Sequence, residues 1–95
     1  MQFRRRALTA WRHDLRVGWG ERAAATADGV APLLERAGVT DLHAVGARLA
    51  IGGHSLEEVL EWMHLLAQRS RSFRTVLAGG GVATLAAGWA DGVLG

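Results

Sequence analysis

A chain of 95 residues has room for one hydrophobic core but not for a core plus a deep private active site, and at 49% hydrophobic residues it is too apolar for a disordered tail. All 11 basic residues are arginine and cysteine is absent, which excludes disulfides, a thiolate zinc site and a cysteine nucleophile. The formal net charge of +2 is unevenly placed: residues 1–22 hold six arginines against Asp14 and Glu21, net +4, and residues 23–95 hold five against seven acids, net −2.

The start, Met1 to Arg6, is charged but leads into Ala7-Leu8-Thr9-Ala10-Trp11-Arg12 rather than an apolar stretch, so no signal peptide is expected. A first helix is predicted from near Arg4, with Leu8, Trp11, Leu15 and Trp19 on one stripe. Arg5, Thr9, Arg12 and Arg16 form another stripe, and Arg5, Arg12 and Arg16 are the expected basic surface. Gly18 and Gly20 leave the far end of that helix open, and Glu21 to Ala27 either continues it or begins a second helix. Asp28, Gly29 and Pro32 punctuate the pattern. Pro32 suits the first turn of a new helix, one that would present Val30, Leu33, Leu34 and Ala37 and stop at Gly38.

Thr40 is expected to cap a third helix, with Val39 before the cap, Leu42, Val45 and Leu49 facing inward, and Gly46 allowing close helix approach. The sharpest local signal comes next. Gly52 and Gly53 end that helix, and Ser55 with Glu58 three positions on spells a capping box that starts another. Leu56, Val59, Leu60, Met63, Leu66 and Ala67 then repeat at helical spacing, with Glu57, Glu61, His64 and Gln68 opposite. Arg69 to Ser72 reads as a polar linker, with Ser72 capping a brief helix that holds Phe73, Val76 and Leu77. Gly79 to Gly81 breaks it, and Val82, Leu85, Ala86, Trp89 and Val93 mark a final helix.

No segment alternates with period two, so the predicted fold is all-α: a single compact bundle of five or six short helices over residues 1–95. Its expected core contains Leu49, Leu56, Val59, Leu60, Met63, Leu66, Leu85 and Trp89. The uncharged run Val76 to Ala90 is shorter than the roughly 20 residues a membrane span requires and is interrupted by glycines, which favours a buried core helix over a span.

Candidate chemistry is sparse. Gly79-Gly80-Gly81 lacks the preceding strand and the following Lys-Ser/Thr of a phosphate loop and reads as a helix-to-helix turn. The four histidines have no ligand-type pairing, and Glu61 with His64 on a solvated helix back does not by itself make a metal site. Ser55 and Ser72 read as caps, and the four tryptophans as packing residues. No catalytic, cofactor-binding or metal-binding residue is expected, and the chain is not expected to be an enzyme.

Residues 45–69 resemble a helix-turn-helix, and Gly53-His54-Ser55-Leu56-Glu57-Glu58-Val59 is similar to a helix of mercury-resistance-type regulators. The would-be reading helix turns Glu57, Glu58 and Glu61 outward with no basic residue before Arg69, so sequence-specific nucleic-acid binding is not expected. A DNA-associated regulator remains the alternative reading.

The run Arg48-Leu49-Ala50 through Gly53, followed by Ser55-Leu56-Glu57-Glu58-Val59-Leu60-Glu61-Trp62, resembles the helical N-terminal regulatory segments of bacterial signalling proteins, such as the sensor halves of stress-response co-antagonists and of purine-catabolism-type regulators. Leu85-Ala86-Ala87-Gly88-Trp89-Ala90-Asp91 is similar to the segment ahead of the catalytic domain in actinobacterial GGDEF-type diguanylate cyclases. The resemblance spans about residues 45–95 and implies a cytoplasmic regulatory module, or a fragment of a larger protein, with any cyclase activity in a domain absent from this chain. The expected partner is another protein, a downstream domain or a second copy of the chain. Leu85, Trp89 and Val93 on the last helix are the expected contact residues.

Overall fold

The computed structural model describes residues 2–95, with side chains from Arg4 onward. Six helices follow one another: α1 (Gln2–Trp19), α2 (Glu21–Glu35), α3 (Leu42–Ile51), α4 (Leu56–Arg69), α5 (Arg71–Val76) and α6 (Val82–Leu94). No strand occurs among the described residues, in line with the all-α expectation.

Helix α1 buries Leu8, Trp11 and Leu15 as its spacing predicts, whereas Trp19 at its end is 37% exposed. It stops because Gly20 takes φ +97°, a conformation that L side chains rarely adopt. The chain then doubles back, and α2 lies antiparallel on α1 through Ala23, Ala27, Val30 and Leu34.

Pro32 does not start a helix; it sits inside α2, which runs unbroken from Glu21. An interior proline costs about 3 kcal/mol. The buried stripe Ala27, Val30 and Leu34 continues through that point and outweighs the lost hydrogen bond, while Pro32 itself faces solvent. Thr40 does not cap α3 either. The residues before α3 form a tight turn in which the Gly38 amide donates to Asp41 Oδ2 at 2.7 Å, and α3 begins without a side-chain cap.

The break between α3 and α4 follows the glycine reading closely. Gly53 at φ +87° donates to Ala50 O (3.0 Å) and His54 N to Leu49 O (3.2 Å), the paired bonds of a Schellman ending. Ser55 Oγ accepts from Glu58 N at 3.1 Å, a cap worth about 1 kcal/mol. The reciprocal half of the capping box is missing because the Glu58 carboxylate turns to His54 instead.

Helix α4 buries Val59, Trp62, Met63, Leu66 and Ala67. Leu56 and Leu60, expected in the core, are only half-buried, and Trp62 takes their place at 1% exposure because α4 meets both α1 and α5. Ser70, not Ser72, caps α5: its hydroxyl accepts from Phe73 N at 3.2 Å and the residue is 6% exposed.

Arg4 ties three elements together, donating to Leu34 O and Ala37 O at the end of α2 and to Ser72 Oγ on α5. Arg69 holds Asp14 in a two-pronged pair (2.6 and 2.8 Å) that fastens α4 to α1. Those hydrogen bonds from Arg69 hold the Asp14 carboxyl below its ordinary range, against an opposing contribution from burial. A depressed folded-state pKa stabilises above the unfolded value, near 3.9, and the stabilisation is lost as pH falls through the folded value. Asp14→Asn is therefore expected to flatten the fall in unfolding midpoint below about pH 4, read by urea titrations at several pH values; an identical acid slope would mean that the pair does not contribute.

Helices α3 and α6 form the closest helix pair. They run in the same direction, with Gly81 beside Leu42 and Gly92 beside Ala47 and Ala50. A Cβ on Gly46 would lie 2.1 Å from Leu85 O and one on Gly88 1.9 Å from His43 O, so the backbones meet where no side chain fits. Gly80 at φ +105° kinks the chain between α5 and α6.

Candidate functional site

Of the expected contact residues on α6, Leu85 is wholly buried in the core. Trp89 is half-buried against that core and donates its indole N–H to His54 O at 2.8 Å, which makes it part of the packing of the fold. Val93 is 58% exposed, and with Leu94 (86%) and Ile51 (76%) it emerges where α6 and α3 end together. The sequence did not single out Ile51; only the parallel run of α3 and α6 brings it to this end of the molecule.

The basic surface differs more sharply from expectation. Arg5 pairs with Glu35 (2.8 Å), Arg12 with Asp28 (2.5 Å) and Arg16 with Glu21 (3.3 Å), so the arginine stripe of α1 is matched by the acids of α2. These exposed pairs add little stability, but they cancel the field that the stripe would present to a nucleic acid.

His54 is the polar node of the molecule. Its Nδ1 lies 2.8 Å from Glu58 Oε1, its Nε2 3.2 Å from Thr26 Oγ1, and its ring is tilted against Trp62 with centroids 4.7 Å apart. Sequence reading missed this set because Thr26 is 28 positions away on α2. Hydroxyl, imidazole and carboxylate in that order are the parts of an activated nucleophile. The Thr26 hydroxyl is shared between two neighbours, since it also lies 3.0 Å from Arg22 O as a donor. The arrangement joins α2 to α4.

The other histidines are held locally. His43 Nε2 lies 2.7 Å from Asp91 Oδ2, and His64 Nδ1 lies 2.7 Å from Leu60 O rather than sharing an ion with Glu61. No group of three metal-ligating side chains occurs among the described residues.

As for the helix-turn-helix reading, α3 packs mainly on α6 and hardly touches α4, and the exposed face of α4 carries Glu57, Glu61, His64 and Gln68. The segment Arg71–Leu94, with mean hydropathy 1.2, is long and apolar enough to cross a membrane by length and composition. Its backbone departs from helical geometry at Gly79 and Gly80, which in hydrocarbon would leave polar groups unpaired. Nor is the run Val76 to Ala90 the buried core helix expected: it buries Leu77, Gly81, Leu85 and Gly88, and its α6 part lies on α3 by its glycine face. No protein family, no curated protein and no solved structure matches this chain.

Proposed function

We propose that the chain is a non-catalytic helical interaction module of a bacterial cytoplasmic signalling protein, acting by helix packing at the end of the α3–α6 pair. The observation that carries this reading is the exposure of Ile51, Val93 and Leu94 at one end of a helix pair whose own contact is already closed by glycines. Apolar side chains left exposed together mark contact surfaces more often than scattered ones do.

The first partner to test is a second copy. Sedimentation equilibrium is expected to show the mass rising from 10.1 kDa toward a dimer with concentration, and the rise is expected to vanish in Val93→Asp/Leu94→Asp with helicity unchanged. A strict monomer at every concentration would remove self-association from the reading.

A further inference from the structure

An open groove of about 860 Å³ lies where the start of α1, the α2–α3 turn and the α4–α5 junction meet. Four arginines line it, Arg4, Arg36, Arg69 and Arg71, against one carboxylate, Glu35, which is already engaged by Arg5. Asp14 answers Arg69, while Arg36 and Arg71 are exposed and have no acidic partner among the described residues. Arg6, Arg22, Arg48 and Arg74 also lack an acidic partner among the described residues, but none of them lines the groove, and the stripe Arg5, Arg12 and Arg16 on α1 is paired.

Arg4 forms the floor. Its NH1 donates to Leu34 O (3.2 Å) and Ala37 O (2.8 Å), its Nε and NH2 to Ser72 Oγ (3.2 and 3.0 Å), and its guanidinium stands 5.8 Å from the centre of the Phe73 ring. Every one of these acceptors is neutral. Burial pulls the Arg4 pKa down, the sign of a cation taken partly out of water without a counter-charge. A partly desolvated cation held by neutral acceptors and accompanied by two exposed, unpaired ones favours an anion that brings more than one negative charge.

We propose that this groove binds an organic diphosphate, with Arg36 and Arg71 gripping the phosphoryl oxygens above the positive floor set by Arg4. The guanidinium fork matches phosphoryl oxygens two at a time, which a cluster of arginines exploits better than it would a single carboxylate. The volume lies within the range of small-molecule sites, about 300–1,000 Å³. A nucleic-acid strand would need a continued track of free cations, and the neighbouring stripe of α1 is neutralised. The site is separate from the α3–α6 end, and its test does not involve Val93 or Leu94.

Isothermal titration calorimetry on the whole chain at about 0.1 M salt, with inorganic pyrophosphate and ADP as probes, tests the proposal. Both are expected to saturate one site, with monophosphate about tenfold weaker, and tighter binding of ADP than of pyrophosphate would show that the groove also holds the nucleoside. Arg36→Gln and Arg71→Gln, both exposed and outside the core, are each expected to weaken binding about tenfold with circular dichroism unchanged. Arg16→Gln, at the far end of α1, is expected to change nothing. Absence of saturation, or equal affinity in all three variants, would overturn the proposal. Binding to an RNA oligomer that exceeds both diphosphates and grows with its length would overturn it as well, by making the groove part of a general electrostatic surface.

Discussion

Gly88→Ala is expected to lower the unfolding free energy by about 3 kcal/mol or more, because the added methyl would sit on a backbone that has no freedom to turn aside. The Cβ would meet His43 O at 1.9 Å, its carbonyl carbon at 2.6 Å and its Cα at 2.7 Å, so α3 and α6 must separate to admit it. Separation opens the seam along its length, since Gly46 faces Leu85 and Trp89 and Gly92 faces Ala47 on the same two helices. For a chain of this size the loss is about a third of the total stability, which is roughly 10 kcal/mol. Gly29→Ala is the control. It lies in α2 with open space around the position, and a methyl there is expected to be neutral or to stabilise by about 0.5 kcal/mol. Urea unfolding of both variants reads the difference. A Gly88→Ala shift below about 1 kcal/mol would show that the pair adjusts without cost.

Trp62→Ala is expected to be the most damaging single truncation, at about 4 kcal/mol. The residue is 1% exposed, its ring meets Trp19 edge-on with centroids 6.1 Å apart, and the His54 ring is tilted against it at 4.7 Å. Its main-chain carbonyl accepts the Trp11 indole N–H at 2.8 Å, so collapse around the cavity would disturb a second buried aromatic. The Trp62 indole N–H itself is buried with no protein acceptor among the described residues. Trp62→Phe, which removes that donor and keeps most of the ring, is therefore expected to cost much less, about 1 kcal/mol. Equal losses for the two variants would mean that the N–H has a partner whose loss matters as much as the missing volume.

The helices and their breaks were largely legible in the residues because both arise from short-range causes. Apolar spacing placed Leu8, Trp11 and Leu15 inside, Ser55 announced its cap, and Gly52-Gly53 announced the turn before it; each requires only neighbours within about one helical turn. Gly46 was readable as a point of close approach, but its counterparts Gly88 and Gly92 became legible only once α6 lay parallel on α3. Pro32 reads as a helix start by its chemistry. It sits mid-helix because burial on α1 outweighs local preference. The His54 set, the neutralised stripe Arg5, Arg12 and Arg16 of α1 and the unmatched arginines of the groove follow the same logic. Which charge meets which depends on how the helix faces pack, from 5 positions apart for Arg16 and Glu21 to 30 for Arg5 and Glu35, and that pairing is decided by the core that the apolar stripes build together.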